Sequence, residues 1–217
     1  MSRNVEVVLL RHGESWWNAE DRYQGQQGTG LSDLGRQQAK QAAEYLRSAF
    51  PSFDQVVASD LQRVAETLQP YAEGGCPPAR LDRRWREIDV GTWGGRTFTE
   101  ILREEPEVVA AFARGEDVAR GGGETFAQLR TRVWEAARAT MSGTRVLVVT
   151  HGGPIRVAAA EALGLPPGGQ LSLDPPVNCS VTVLRLVVEG GSVSSTGLAA
   201  YNIPTSSVSE RAEEQPS

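Results

Sequence analysis

Val7-Val8-Leu9-Leu10-Arg11-His12-Gly13 is the stretch of this sequence that decides the fold. The chain repeats its design once, in Val146-Leu147-Val148-Val149-Thr150-His151-Gly152, and His12 and His151 are the only two histidines. A short unbroken run of Val and Leu is typical of a strand buried on both faces of a parallel sheet. Each His then follows the carboxyl end of its strand, which is the edge where open α/β sheets bind ligands. We therefore expect the two imidazoles to meet in one active site rather than to lie apart on the surface.

The composition indicates one ordinary globular domain. The chain has 217 residues, 40% of them hydrophobic, with a formal net charge of −5 and a pI near 5.2. An acidic protein lacks the basic face that binds a nucleic-acid polymer, and the sequence holds no apolar run of membrane-spanning length and no hydrophobic leader. Cys76 and Cys179 are far apart and lack the spacing of a zinc site. We expect a cytoplasmic protein with free thiols, no metal, and no nucleic-acid or membrane partner. A homodimer stays open.

A third predicted strand end adds a cation to the same edge. Val56-Val57-Ala58 predicts a strand, Ser59 or Asp60 can cap the helix that follows, and Arg63 lies in the first turn of that helix. Arg63 would then point toward the same edge as Arg11 and both histidines. Two guanidiniums and the N–H groups of helix N-termini form a pocket for a tetrahedral dianion, which fits phosphate better than carboxylate. In isolation, Arg63 would be interpreted as a solvent-facing helix residue.

Strands and helices alternate along the chain, which is the pattern of α/β folds. We predict a three-layer α/β/α sandwich with a mostly parallel central sheet, an antiparallel edge and a short helical cap. The predicted strands are Val5–Leu10, Gln55–Ala58 and Arg145–Thr150, and the predicted helices are Asp33–Phe50, Asp60–Tyr71, Thr125–Met141 and Pro154–Leu163.

The last third of the chain predicts the antiparallel edge. Ser180–Val188 and Ser192–Ala200 flank Glu189-Gly190-Gly191, which is typical of an antiparallel hairpin. Residues 92–121 predict the cap, an insertion with two short helices at Thr99–Glu104 and Pro106–Arg114. We expect residues 1–203 to form a single domain and the polar residues 204–217 to be a disordered tail.

Short motifs follow one another in a defined order. They are Leu10–Ser15, Tyr23–Gln26, Leu31–Gly35, Ser59–Arg63, Glu87–Gly95, Gly122–Thr125 and Thr150–Arg156. Together they resemble the signature of the histidine phosphatase superfamily, in the metal-independent branch of phosphoglycerate mutase-like phosphatases. A lone Arg-His-Gly would be a weak signal, whereas this ordered series covers nearly the whole chain to about residue 200. The chain departs from the family in the loop Gln26–Gly30, where relatives commonly carry Asp and Pro.

The resemblance implies roles for particular residues. His12 would be the nucleophile that attacks phosphorus and forms a phosphohistidine, which requires an unprotonated ring nitrogen. Arg11, Arg63 and His151 would bind the phosphoryl oxygens and stabilise the transition state. Glu87 would protonate the leaving oxygen and then activate the attacking water.

Three further positions, Asn18, Gln24 and Gly152, are expected to contact the phosphate or the substrate. For Glu87, the structural alternative is a surface ion pair with Arg84 or Arg86.

The implied activity is hydrolysis of a small phosphorylated metabolite by a phosphomonoesterase that uses no cofactor. Phosphoglycerate mutase-type transfer is the second interpretation, although the cap segment Glu104-Glu105-Pro106-Glu107 lacks the basic cluster that would retain a second anionic group. A catalytically idle phospholigand-binding module is the alternative from another class. The substrate stays open among a sugar phosphate, a phosphoglycerate derivative, a nucleotide and a ribazole phosphate.

Overall fold

A single mixed sheet forms the centre of the computed structural model, which describes residues 2–140 and 143–205. Its strands are β1 (Ser2–Arg11), β2 (Gln55–Ala58), β3 (Ala79–Leu81), β4 (Arg145–Thr150), β5 (Ser180–Glu189) and β6 (Ser192–Pro204). Their order is β3-β2-β4-β1-β5-β6. The first four are mutually parallel, whereas β5 runs antiparallel to β1 and β6 antiparallel to β5. The predicted parallel centre and antiparallel hairpin edge are confirmed.

Helices cover both faces of this sheet. They are α1 (Trp16–Ala19), α2 (Asp33–Ala49), α3 (Gln62–Glu73), α4 (Phe98–Glu104), α5 (Pro106–Ala113), α6 (Phe126–Ala139) and α7 (Gly152–Ala162). Val7 and Leu9 of β1 pack with the core on the side of α6 and α7, and Val8 and Leu10 pack with the core on the side of α2 and α3. Burying each such side chain contributes about 1.5–3 kcal/mol. The run is apolar throughout because alternate residues of β1 pack into different cores, one on each face of the sheet. The predicted three-layer sandwich is confirmed.

Element bounds differ from the predictions mainly at ends and in short elements. The three-residue edge strand β3 and the one-turn helix α1 were not predicted, because neither is long enough to show a period. Strand β6 extends past Ala200 to Pro204, which pairs with Ser180. Placing Pro204 in a disordered tail was therefore wrong, because a proline is accommodated at the end of an edge strand. Met141 and residues 206–217 lie outside the described residues.

Helix α7 begins two residues before the predicted Pro154, which lies in the first turn, where its missing N–H needs no partner. The predicted cap of helix α3 was also wrong. Its N-cap is Leu61, which makes no side-chain capping bond. Ser59 and Asp60 have other partners: the Ser59 hydroxyl lies 2.8 Å from a ring nitrogen of His151, and Asp60 forms an ion pair with Arg86 at 2.6 Å. Ser59 and Asp60, which the sequence suggested as caps of this helix, therefore bond with residues from distant parts of the chain.

The segment predicted to be the cap contains α4 and α5, as expected. Helix α4 begins with a capping box in which Thr97 and Glu100 exchange bonds with each other's backbone N–H. The two ends of the segment meet at Gly91 and Gly121, where a Cβ on Gly91 would lie 2.1 Å from the Gly121 carbonyl oxygen. Gly91 also has a φ of +49°, so the closure of this segment depends on glycine at that position.

Cys76 and Cys179 are not joined by a disulfide, as the sequence predicts, and Cys179 is buried. Within the described part of the chain, no helix is long and apolar enough to cross a membrane.

Candidate active site

The register of the central strands brings the two histidines together. Arg11 pairs with Thr150 at the carboxyl ends of β1 and β4, and the N–H of His12 donates to the Thr150 carbonyl at 3.0 Å. His12 and His151 therefore leave neighbouring strands at the same level. Their ring centroids lie 5.1 Å apart at an interplanar angle of 63°. The repeated sequence design thus produces one site at one sheet edge.

The hydrogen bonds of His12 determine which nitrogen is free. Its Nδ1 lies 2.7 Å from the carbonyl oxygen of Gly13, and a carbonyl can only accept, so Nδ1 carries the ring proton. The Nε2 lone pair instead faces Arg63, whose Nε–H donates to it at 3.3 Å. This tautomer places an unprotonated nitrogen on the cavity side of the ring, which is the state that a nucleophile requires.

The surroundings of His12 also disfavour its protonation. Burial, followed by the positive charges of Arg63 and Arg11, holds the pKa of His12 well below its usual value. Burial and the charge of Arg63 lower the pKa of His151 in the same direction. Both rings are therefore neutral at neutral pH.

We expect both histidines to stay neutral at pH 6.5, the usual midpoint of the imidazole. Because each pKa is lowered, the unprotonated form is present above that lowered pKa and is lost only as the pH falls through it. Nitrogen-15 NMR of tag-free protein measures this directly, since the chain contributes only two imidazoles. The His12 signals should show a proton on Nδ1 and none on Nε2. A midpoint at or above pH 6.5 for either ring would contradict the expected environment.

Arg63 is held in place by the loop that departs from the family pattern. Its Nη1 donates to the Gln27 carbonyl at 2.8 Å and its Nη2 to the Gly25 carbonyl at 2.7 Å. Burial lowers the pKa of Arg63 to about 10, so the side chain stays cationic at neutral pH. Arg11 is anchored in a similar way by a bond from Nη1 to the Pro176 carbonyl. For each of the two guanidiniums, a backbone carbonyl accepts at least one of the hydrogen bonds that fix its geometry.

Glu87 faces the same cavity from the segment before the cap. Its Oε2 accepts from the N–H of Gly153 at 3.1 Å and its Oε1 from the N–H of Ile88 at 2.8 Å. The carboxyl group therefore lies against the first turn of α7. A Cβ on Gly153 would approach Glu87 Oε1 to 2.2 Å, so the close fit depends on glycine there.

The alternative of a surface ion pair for Glu87 is not what the structure contains. Arg84 pairs with Asp82 at 2.7 Å, and Arg86 pairs with Asp60. Glu87 is partly buried and lines the cavity.

A second pair of charges positions the Glu87 backbone. Arg132 donates to the carbonyls of Arg84, Arg86 and Glu87 at 2.7–2.9 Å, and it is paired with Glu124 at 2.6 Å. Glu124 also accepts from the N–H of Asp89 at 2.9 Å. These bonds hold the segment on both sides of Glu87. The Gly122–Thr125 motif contained Glu124, but its spacing did not indicate this partner.

His151 is the one predicted site residue that does not line the cavity. It is fully buried, and its Nε2 contacts the Ser59 hydroxyl at 2.8 Å. Its Nδ1 is buried without a hydrogen-bond partner among the described residues. If the Ser59 hydroxyl donates to Nε2, Nδ1 carries the ring proton and provides a donor that a phosphoryl oxygen could satisfy.

A cavity of about 120 Å³ opens above these side chains. Seven of the eight predicted site residues line it, namely Arg11, His12, Asn18, Gln24, Arg63, Glu87 and Gly152. Sequence reasoning missed other lining residues, among them Tyr23, Phe112, Arg120, Phe126 and Arg156. Arg156 stands within a quoted motif, but nothing in the sequence indicated that Arg120 turns inward. Among residues 2–140 and 143–205, no group of three or more His, Cys, Asp or Glu side chains could hold a metal ion.

Comparison with known proteins agrees with this architecture. The family model of the histidine phosphatase superfamily (branch 1) matches residues 7–198. Glucosyl-3-phosphoglycerate phosphatase of Mycolicibacterium vanbaalenii is 36% identical over 173 residues, which cover 74% of this chain and 75% of that protein. Phosphoglycerate mutase-like protein 4 of Arabidopsis thaliana is 37% identical over 188 residues, covering 84% and 80% respectively.

Solved structures give the same result. A mycobacterial glucosyl-3-phosphoglycerate phosphatase in complex with VO3 superposes with a TM-score of 0.79 at 32% identity, covering 92% of this chain and 99% of that one. The resemblance inferred from the ordered motifs is therefore confirmed, and the chain belongs to branch 1 of the histidine phosphatase superfamily.

Proposed function

We propose that this protein is a phosphomonoesterase that hydrolyses a small phosphorylated metabolite through a phosphohistidine at His12. The observation that carries the proposal is the state of the His12 ring, which is neutral, has its proton held on Nδ1 by Gly13, and presents Nε2 to a cavity that also holds Arg63 and Glu87. A nucleophile, cations for phosphoryl oxygens and a carboxyl group are the parts that covalent phosphoryl transfer needs.

In the first step, His12 Nε2 attacks phosphorus, the N–P bond forms and the bond to the leaving oxygen breaks. The guanidiniums of Arg11 and Arg63 bind the phosphoryl oxygens, and the Glu87 carboxyl donates its proton to the leaving alcohol. In the second step, Glu87 takes a proton from water, the water oxygen attacks phosphorus and the N–P bond breaks. Inorganic phosphate leaves, and both His12 and Glu87 return to their starting states.

The remaining predicted residues fit supporting roles. Asn18 Oδ1 accepts from the backbone N–H of Ser15 at 3.1 Å, so its amide N–H₂ group is available to donate toward a phosphoryl oxygen. Gln24 is held by the Ser15 hydroxyl at 2.8 Å. Gly152 begins α7 and can offer its N–H to an anion. For His151, we propose donation from Nδ1 to the same phosphoryl group.

The reaction itself is tested by following both possible products. With a panel of metabolite phosphates, a phosphatase releases inorganic phosphate, whereas a mutase returns an isomer of the phosphorylated substrate. A binding module without turnover would release no p-nitrophenol from p-nitrophenyl phosphate. We also propose a cytoplasmic location and no nucleic-acid polymer as a partner, which the acidic composition supports. A homodimer stays open.

We expect hydrolysis of p-nitrophenyl phosphate to survive dialysis against EDTA, because guanidiniums supply the positive charge for the phosphoryl oxygens. Vanadate should inhibit competitively, since it adopts the trigonal-bipyramidal geometry of the transition state. Initial rates before and after chelation, with magnesium or zinc added back, measure the first expectation. Loss of activity on chelation that either metal restores would contradict the proposed mechanism.

A further inference from the structure

The cap side of the cavity contains a cation that the proposed mechanism does not use. Arg120 begins a short 3₁₀ turn, Arg120–Gly122, just before α6. Its Cζ lies 4.2 Å from the ring centroid of Phe112 and 4.8 Å from that of Phe126. The two rings are stacked at an interplanar angle of 24°, with their centroids 6.4 Å apart. Cation–π contacts with both rings therefore hold the guanidinium against the cavity wall.

Arg120 has hydrogen-bonding capacity that the protein does not satisfy. Its Nε is buried without a hydrogen-bond partner. Within the described residues, its guanidinium makes no hydrogen bond and no ion pair, and the carboxylates of Glu87 and Asp117 act on it only through their charge. Burial lowers the pKa of Arg120, which records the free-energy cost of keeping this cation away from water. Arg120 is partly buried and lines the cavity. Because charges removed from water are normally paired, a guanidinium in this position without an adjacent carboxylate indicates that an anion arrives with the ligand.

The charges around the cavity support the same conclusion. Five guanidiniums and one carboxylate line it, namely Arg11, Arg22, Arg63, Arg120, Arg156 and Glu87. A phosphate dianion at His12 offsets the two cations beside that ring. Arg22 is paired with Glu20 at 2.9 Å, and Arg156 donates to three backbone carbonyls between Gln170 and Leu173. These carbonyls fix Arg156 without neutralising it, so the charges of Arg120 and Arg156 face the single carboxylate of Glu87 once the phosphate is bound. Of the two arginines, Arg120 is the one without a hydrogen-bond acceptor among the described residues.

We propose that Arg120 binds a second anionic group, a carboxylate or a second phosphate, on the leaving-group side of the substrate. This inference rests on the proposed function, because it takes the phosphate bound at His12 as the first anion. The planar guanidinium fork suits either oxyanion, and the flanking Phe112 and Phe126 exclude water around the contact. The cap sequence lacks a basic cluster for a second anionic group, and one arginine that faces the cavity would take over that role.

The test uses substrate pairs that differ only in the second charge. The first pair is 3-phosphoglycerate, which carries a carboxylate, and glycerol 3-phosphate, which has a hydroxymethyl group in its place. The second pair is glucose 1,6-bisphosphate, which carries a second phosphate, and glucose 6-phosphate, which does not. We expect wild-type enzyme to prefer the anionic member of at least one pair by tenfold or more in kcat/KM. The pair with the larger preference identifies the class of anion.

Variants at Arg120 then assign the preference to this side chain. Arg120→Met keeps an apolar side chain beside the two rings and should reduce the preference to within about twofold, whereas Arg120→Lys keeps the charge and should retain part of it. Arg114→Met is the matched control, since Arg114 lies in the same segment but is exposed and paired with Glu116 at 2.8 Å. The control should keep the full wild-type preference.

Two results would overturn the inference: no preference in either pair for the wild type, or an undiminished preference in Arg120→Met. If circular dichroism shows that Arg120→Met does not fold, the test rests on the kcat/KM ratios of the wild type and of Arg120→Lys. A full wild-type preference in Arg120→Lys would then contradict recognition by the guanidinium fork. Failure of the proposed function is separate, because wild-type enzyme would then release no phosphate from p-nitrophenyl phosphate.

Discussion

Replacing His12 with alanine is expected to lower turnover at least ten-thousandfold while leaving the protein folded. Loss of the nucleophile removes the covalent route entirely, and a ten-thousandfold loss corresponds to a rise in the activation barrier of about 5 kcal/mol. The His12 side chain lines the cavity and belongs to neither hydrophobic core, so its removal should leave both cores intact. Steady-state phosphate release from p-nitrophenyl phosphate measures the loss, and circular dichroism checks the fold.

The covalent intermediate gives an independent measurement. Wild-type enzyme quenched in denaturant during turnover should retain phosphate that is stable in base and labile in acid. The same trapping experiment on His12→Ala keeps His151 in place as an internal control, because that ring is the only other histidine in the chain. Label that persists in the variant, or turnover above a tenth of wild type, would show that the nucleophile lies elsewhere.

Replacing Glu87 with glutamine should separate proton transfer from binding. We expect turnover on an alkyl phosphate to fall by roughly 10² to 10⁴, the usual contribution of a general acid. The loss should be smaller for p-nitrophenyl phosphate, because nitrophenolate leaves as a stable anion and needs little protonation. Glutamine matches the shape of Glu87 and can still accept one of the two backbone N–H bonds from Ile88 and Gly153.

Single-turnover phosphorylation of the enzyme is the measurement that isolates the first step. Water activation in the second step can still be slow with p-nitrophenyl phosphate, and a burst of one equivalent followed by slow turnover would report that defect. Glu107→Gln is the control, since Glu107 is an exposed carboxylate in the cap helix α5. Equal losses on both substrates in the phosphorylation step would mean that Glu87 acts through its charge and that another group supplies the proton.

The longer strands and helices were predictable because each shows its hydrophobic pattern within its own stretch of sequence. The side chains of residues 7–10 are buried on both faces of the sheet, so the run had to be apolar throughout. The hairpin was recognisable because its two strands flank Glu189-Gly190-Gly191. The edge strand β3 has three residues and no period to detect. The cap of α3 was mispredicted because Asp60 forms its bond with Arg86, which is 26 residues away.

The candidate site divides in the same way. His12, Arg11 and His151 were predictable because they directly follow strands, and the register of β1 and β4 follows from burying both strands in the centre of one sheet. The contact between Ser59 and His151 spans 92 residues and the bond from Arg132 to the Glu87 carbonyl spans 45. No local pattern predicts which polar groups meet over such separations.

The sequence by itself determined the layered α/β architecture, the sheet edge at which the chemistry lies and the residue types gathered there. These follow from hydrophobic periodicity, since a chain must bury its apolar residues whatever the details of its loops. Only the tertiary structure decided the tautomer of His12, the complete burial of His151 and the contact of Arg120 with the rings of two phenylalanines. Each of these depends on one hydrogen bond, one packing contact or one unpaired charge between distant segments, and such contacts exist only once the chain has folded.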